Sequence, residues 1–220
     1  MKVVNPLSAN IVQLLEHYES NGHLNMQASL MGDRSALYEL ENYSLKVYTA
    51  RGKLDGEMEC DAMLSMQNLR HVPKMYAYAP GKFVLTERVH GLNLKDYYSV
   101  HGSVPQHLLY DMLQTEYEQI QAGYHDWEVI QYEQLHWTAT GEVKRVDFWL
   151  CEPMGSIQSQ TVQAFMNKVE RIHAGDPTDL ETIMYYFKRH GLSEADIQCV
   201  FEQFRMRHSE PFQPQRTLNG

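Results

Sequence analysis

The chain has 220 residues, 43% hydrophobic and 21% charged, which is typical of a globular protein with one domain or two small lobes. Its formal net charge of −9, with no basic tail or stripe, argues against a general nucleic-acid binder. No apolar run reaches membrane-spanning length, and the N-terminus lacks a secretion-signal pattern. Three widely spaced cysteines without a C-x-x-C pair favour a reducing, cytoplasmic location.

The first ninety residues predict two helices and four strands. A helix that Ser8 can cap places Ile11, Leu14, Leu15 and Tyr18 on one face. The alternation in "ALYELENYSLKVYTA" predicts a β-hairpin, and "HVPKMYAYAPGKFVLTERV" predicts two further strands joined by a turn. Between them, "LDGEMECDAMLSMQNL" has helical spacing.

The pattern becomes mainly helical after Gly91. Asn93 and Asp96 form a capping-box arrangement, and "VPQHLLYDMLQTEYEQIQAGY" is the clearest helix in the chain. The hairpin "LHWTATGEVKRVDF" and helices at about 158–172, 177–189 and 193–207 follow. We therefore divide the chain into an N-terminal helical extension (1–29), a strand-rich lobe (30–90), a mainly helical lobe (91–208) and a loose tail (209–220).

Two charged residues in the first part of the chain are candidate functional residues. Lys46 lies in the middle of the strand "YSLKVY", where a lysine that faces a cleft needs an anionic partner. Glu59 precedes apolar Met63 at i+4 in the following helix. Glu57 is the competing candidate, but Asp61 at its i+4 position spoils the apolar face.

The segments "FVLTERVHGLNLKDYY" and "GEVKRVDF" lie further along the chain. Together with the segments around Lys46 and Glu59, and in the same order along the chain, they resemble motifs of the protein-kinase-like superfamily. The resemblance implies an α+β, two-lobed fold, with an antiparallel sheet plus one helix in the N-lobe and a reduced, mainly helical C-lobe. It also implies that Lys46 contacts the ATP phosphates and pairs with Glu59, and that Asp147 binds Mg²⁺.

By the same resemblance, the hinge follows the strand "FVLTE". Thr86 corresponds to the gatekeeper residue, and Glu87 and Val89 offer backbone groups to the adenine edge. Gly32 is the one glycine in "MGDRSALYEL", where the family has a glycine-rich phosphate loop. The backbone amides from position 33 to position 36 can still cradle phosphate, although the multi-glycine arch is missing.

The catalytic loop departs from the family pattern. The metal-binding asparagine is replaced by Gln134, and the position of the catalytic base is Val129, which cannot deprotonate a hydroxyl. Asp126 in "YHDWE" resembles the catalytic aspartate of the family but lies three residues before the expected position. A loop insertion would bring it into place as the base. Glu128 and Glu133 are further candidates for the base, although we interpret both as solvated acids of a loop.

The segment after Asp147 departs as well. Trp149 stands where the family usually has glycine, which predicts a segment with one fixed conformation. There is no recognisable activation segment, and the second lobe is too short for a full substrate-binding subdomain. The resemblance therefore covers roughly residues 30–150 and is most specific in the first lobe.

The leading hypothesis is a small, atypical bacterial or archaeal kinase-like protein that binds ATP and Mg²⁺ and transfers the γ-phosphate to a Ser/Thr hydroxyl of a protein. The alternative is a pseudokinase, a nucleotide-binding or regulatory interaction module, which Val129, Gln134 and Trp149 favour. A third hypothesis is a small-molecule kinase of the aminoglycoside or choline type. The sequence predicts ATP and an unidentified protein as partners, and neither nucleic acid nor a membrane.

Overall fold

The computed structural model describes residues 1–126, 133–174 and 181–208. The chain forms two compact units. The described residues of the first unit are Met1–His90, Asp126 and Thr138–Glu152. Those of the second unit are Gly91–His125, 133–137, 153–174 and 181–208.

A six-stranded antiparallel sheet forms the centre of the first unit. Its strands are β1 (Lys2–Val3), β2 (Leu30–Met31), β3 (Ser35–Glu39), β4 (Tyr43–Tyr48), β5 (Met75–Ala79) and β6 (Phe83–Glu87), in the spatial order β1-β5-β6-β4-β3-β2. Both predicted strand pairs are confirmed, with β3 paired to β4 and β5 paired to β6. β4 lies between β3 and β6, in the interior of the sheet.

Helices cover the two faces of this sheet. Successive side chains of a strand point to opposite faces, so Leu45 and Lys46 in β4 face opposite sides. Leu45 belongs to an apolar cluster with Leu15 of helix α1 (Ala9–Asn21), on one face. Lys46 points to the other face, towards helix α2 (Lys53–Ser65). A charged residue thus occupies the interior strand without entering the apolar cluster.

The predicted N-terminal helix packs on the sheet rather than standing apart from it. Leu15 is fully buried, and Ile11, Leu14 and Tyr18 pack against the same cluster. Ser8 occupies the N-cap position, but its side chain makes no capping hydrogen bond within the described part of the chain. The helix ends at Gly22, whose φ of 70° suits glycine and whose N–H donates to the carbonyl of Tyr18.

Helices make up most of the second unit. They are α3 (Leu94–His101), α4 (Gln106–Gln121), α5 (Gln158–His173), α6 (Glu181–Arg189) and α7 (Glu194–Arg207). The predicted cap of α3 is confirmed, because Asn93 accepts a hydrogen bond from the backbone N–H of Asp96. Helices α4, α5 and α7 pack together around the rings of Tyr117, Phe165 and Phe204.

Short strands complete the described part of the chain: β7 (Gly91–Leu92), β8 (Tyr124–Asp126), β9 (Leu135–Thr138), β10 (Val143–Arg145) and β11 (Cys151–Pro153). The turn before β10 contains Gly141 at φ 79°. The fold is therefore mixed α+β, as the sequence predicted. Among the helices of the described residues, none combines the length and apolar character needed to cross a bilayer.

Candidate functional site

Lys46, Glu59 and Asp147 meet in the first unit, although they come from β4, α2 and the segment after β10. The ammonium of Lys46 lies 2.7 Å from Oε2 of Glu59 and 2.8 Å from Oδ1 of Asp147. Positions 46 and 147 are 101 residues apart in the chain. The convergence of these three side chains is what the kinase-like resemblance implied for an ATP phosphate site.

Glu59 is the most deeply buried member of this cluster, with 2% of its side chain exposed. A buried carboxylate is costly unless hydrogen-bond donors surround it. Here Lys46 and the hydroxyl of Tyr48 both donate to Oε2 over 2.7 Å, and the backbone N–H of Phe148 approaches Oε1 at 3.4 Å. Glu59 therefore ties the central strand to the segment that carries Asp147.

The charges of the cluster keep Lys46 protonated. Burial is the largest single influence and lowers the pKa of Lys46, but the charges of Glu59 and Asp147, and the hydrogen bonds to both, outweigh it. The net effect raises the pKa of Lys46 above its ordinary value. Burial, followed by the charge of Glu59, also raises the pKa of Tyr48 well above its ordinary value, so Tyr48 stays a hydrogen-bond donor.

A buried arginine anchors the segment that carries Asp147. Nε of Arg145 donates to the backbone carbonyl of Asp147 over 2.6 Å, and its guanidinium lies 4.8 Å from the ring centroid of Phe148. The same guanidinium forms an ion pair with Asp126, and both side chains are almost fully buried. Arg145 therefore ties the segment that carries Asp147 to Asp126 at the end of β8.

This ion pair bears on the predicted catalytic base. Asp126 contacts Arg145 in the interior of the first unit, where its carboxylate balances a buried positive charge. Its role as a base stays a prediction. Glu133 is exposed, as expected for a solvated loop acid, while Glu128 and Val129 lie outside the described residues.

The predicted adenine-binding residues lie at the end of β6. Thr86 is half-buried and pairs with Ser44 of β4 in the sheet. The backbone N–H of Glu87 donates to the carbonyl of Lys74 over 2.8 Å, so Glu87 can serve an adenine edge through its carbonyl oxygen only. Val89 follows the strand and is half-buried. Their roles remain predictions.

The predicted phosphate loop is a tight turn between β2 and β3. The N–H of Gly32 donates to the carbonyl of Ser35 over 2.9 Å, which leaves only two residues, Asp33 and Arg34, in the turn. Positions 35 and 36 already belong to β3. The cradle of backbone amides expected at Gly32 is therefore reduced to the turn itself.

A small cavity of about 100 Å³ adjoins the charge cluster. It is lined by Arg34, Ser35, Lys46, Tyr48, Asp55, Asp147 and Trp149. Sites for whole small molecules usually measure about 300–1,000 Å³, so this cavity has the size for a phosphate group rather than for a whole nucleotide. The indole of Trp149 forms part of its wall, where the family usually has glycine.

The donor set at Asp147 suits a magnesium ion that also binds phosphate. Two carboxylates and one ammonium leave the cluster with a net charge of −1. Oδ2 of Asp147 has no hydrogen-bond partner among the described residues, and the side chain is 31% exposed. Within the same residues, no three or more His, Cys, Asp or Glu side chains form a metal cage. Mg²⁺ commonly needs only one or two carboxylates when phosphates and water complete its shell.

Gln134, the other predicted metal ligand, lies in the second unit immediately before β9 and is half-buried. Its role stays a prediction. Sequence reasoning did not single out Tyr48, Arg145 or Arg34. Tyr48 carried a usable signal, because it lies two positions after Lys46 and thus on the same face of the strand.

No protein-family profile matches the sequence, and no curated protein matches it. Solved structures do match its fold. Rv3197 from Mycobacterium tuberculosis, solved in complex with erythromycin, has a TM-score of 0.53 at 10% identity, and the match covers 90% of this chain and 80% of that chain. A structure of WbdD has a TM-score of 0.48 at 14% identity, covering 84% of this chain and 46% of WbdD.

WbdD is described as a bifunctional kinase-methyltransferase, and this chain spans less than half its length. At such low identities, the likeness concerns the fold alone.

Proposed function

We propose that this chain is an ATP-binding, kinase-like protein that transfers the γ-phosphate to a Ser/Thr hydroxyl of a protein. The observation that carries the proposal is the contact of one ammonium with two carboxylates, Lys46 with Glu59 and Asp147, from three separate elements. Phosphoryl transfer depends largely on positioning and charge neutralisation, which such a cluster can supply.

Lys46 is the phosphate-binding group in this proposal. Its ammonium stays charged because two carboxylates face it, and Glu59 fixes its position from the buried side. Asp147 is the more exposed partner, with 31% of its side chain accessible against 2% for Glu59. Phosphate oxygens would therefore take the place of Asp147 around Lys46, while Glu59 keeps its hydrogen bond.

Asp147 would hold Mg²⁺, which when bound neutralises the phosphate oxygens. The charge of the cluster supports a role for this cation, because the net charge of −1 would otherwise repel a polyphosphate. We therefore expect nucleotide binding to depend on a divalent cation. Thr86, Glu87 and Val89 would line the adenine end in the same proposal.

A second candidate function is a pseudokinase that binds the nucleotide without transferring phosphate. The buried pair between Asp126 and Arg145 favours it, because a carboxylate engaged with a buried guanidinium is a poor acceptor for a hydroxyl proton. Loss of a general base typically costs a factor of about 10²–10⁴ in rate, so slow transfer remains compatible with the same site.

The test is transfer of label from γ-labelled ATP, with Mg²⁺, to the protein itself or to a generic basic protein. Lys46→Met and Asp147→Asn should abolish the label, and Lys74→Met, at an exposed position of the same unit, should not. Nucleotide binding without label would favour the pseudokinase. Label on an aminoglycoside or choline, added as alternative acceptors, would overturn the protein substrate.

A further inference from the structure

The turn between β2 and β3 places an arginine beside the phosphate cavity. Gly32, Asp33 and Arg34 lie between the two strands, and Arg34 lines the cavity together with Lys46 and Asp147. Its guanidinium is the second positive charge of the cavity wall. The site therefore contains a cation at the place where the family relies on the backbone amides of a glycine-rich arch.

The backbone of Arg34 is fastened to the loop before α2. The N–H of Thr49 donates to the carbonyl of Arg34 over 2.9 Å. Gly52 approaches the same carbonyl so closely that a Cβ at position 52 would lie 2.0 Å from its oxygen. Only glycine permits this approach, so the turn is fixed where a flexible arch would move.

Two neighbours hold the side chain of Arg34 above the cavity. One guanidinium nitrogen lies 2.7 Å from Oδ2 of Asp55, and the guanidinium carbon lies 5.2 Å from the ring centroid of Trp149. The arginine side chain is 57% exposed. Ion pairs of this exposure contribute little to stability, so Arg34 can exchange Asp55 for a more highly charged anion at small cost.

We propose that Arg34 is a second phosphate-binding residue, which selects ligands with a chain of two or three phosphates over a monophosphate. A guanidinium binds two phosphate oxygens at once, and this geometry differs from the single point charge of Lys46. The indole of Trp149 keeps the guanidinium facing the cavity through its π surface. Asp55 forms an ion pair with the guanidinium of Arg34 until a polyphosphate takes the place of Asp55. The inference rests on the proposed function and identifies the phosphate chain as the part of the nucleotide that Arg34 recognises.

The test compares the dissociation constants of Mg-ATP, Mg-ADP and AMP for the full chain and its variants by calorimetry. Arg34→Gln should weaken Mg-ATP binding roughly tenfold or more, as expected for loss of charge-assisted hydrogen bonds, and leave AMP unchanged. Arg51→Gln is the matched control, because Arg51 is 81% exposed in the same region and lines no part of the cavity.

Asp55→Asn is a second variant, for which we expect the opposite change in affinity for Mg-ATP. It removes the competing carboxylate, so Mg-ATP should bind more tightly while AMP is unaffected. A merely structural role of the Arg34–Asp55 pair would weaken binding in both variants and for all three nucleotides. If the unchanged chain binds Mg-ATP and Arg34→Gln binds it equally well, the inference is wrong and the proposed function stands. If the unchanged chain binds no nucleotide, both are wrong.

Discussion

Tyr48 donates its hydroxyl to Oε2 of Glu59 over 2.7 Å, and the same oxygen accepts a hydrogen bond from Lys46. Tyr48 and Lys46 reach one carboxylate because they are two positions apart on β4 and point to the same face of the sheet. The buried carboxylate thus has a neutral and a charged donor on one oxygen. This arrangement makes the cluster part of the fold as well as the proposed binding site.

Tyr48→Phe should lower the free energy of unfolding by about 1–3 kcal/mol, because it takes one donor from a buried carboxylate and leaves the ring in place. Urea denaturation measures the effect. Tyr76→Phe is the control, since the hydroxyl of Tyr76 has no hydrogen-bond partner among the described residues. Equal losses in the two variants would show that the hydroxyl of Tyr48 is not a significant donor.

The stabilisation by Tyr48 should disappear at alkaline pH. Burial, followed by the charge of Glu59, raises the pKa of Tyr48 in the folded state, so the folded state binds the phenolic proton more tightly than the unfolded state. The contribution is therefore complete below the unfolded-state pKa of about 10 and is lost as the pH rises through the folded-state pKa.

Denaturation of the unchanged chain and of Tyr48→Phe between pH 8 and pH 11 measures this loss. The difference between the two unfolding free energies should narrow above pH 10, at up to about 1.4 kcal/mol per pH unit. Contributions from other titrating groups, Lys46 among them, are shared by both proteins. A difference that stays constant up to pH 11 would contradict the raised pKa.

Gly56→Ala should destabilise the protein, against the usual preference of helices for alanine over glycine. Gly56 lies within α2, where the exchange ordinarily stabilises by about 1 kcal/mol. Here a Cβ at position 56 would lie 2.4 Å from a ring carbon of Tyr48. We expect a net loss of about 1–3 kcal/mol from this overpacking, measured by thermal or urea unfolding. A rise in stability would show that the ring of Tyr48 can move aside.

Arg145→Met should lower the unfolding free energy by about 3–5 kcal/mol, because it leaves the carboxylate of Asp126 buried without its positive partner. Adding Asp126→Leu to the same chain should restore much of the loss, since both charges are then gone. Urea denaturation of the two single variants and the double variant gives the coupling energy. Additive losses would mean that Asp126 and Arg145 do not stabilise each other, and would favour a different role for Asp126.

Local patterns in the sequence predicted most of the regular structure, and the kinase-like resemblance singled out Lys46, Glu59 and Asp147. The alternation around Lys46 predicted a strand of a hairpin, and the apolar neighbours of Glu59 distinguished it from Glu57. The short edge strand β1 was missed, because two residues carry no periodicity. Ser8 sits at the N-cap without capping through its side chain, which the sequence could not indicate.

Partners that are distant in the chain were harder to predict. Asp126 and Arg145 are nineteen residues apart, and Arg34 contacts Trp149 from another part of the chain. No local spacing encodes either contact, because tertiary folding alone brings these side chains together. The sequence suggested Asp126 as a catalytic base, but it could not indicate the ion pair with Arg145 in which the structure buries it.

Calorimetric titration with Mg-ATP tests the central claim most directly, since the claim is that Lys46, Glu59 and Asp147 form a nucleotide-phosphate site. We predict saturable binding by the unchanged chain that requires Mg²⁺ and weakens at least tenfold in Lys46→Met and in Asp147→Asn. Glu57→Gln, at the neighbouring acidic position of α2, should bind like the unchanged chain. No heat of binding from the unchanged chain, or undiminished binding by a folded Lys46→Met variant, would contradict the account.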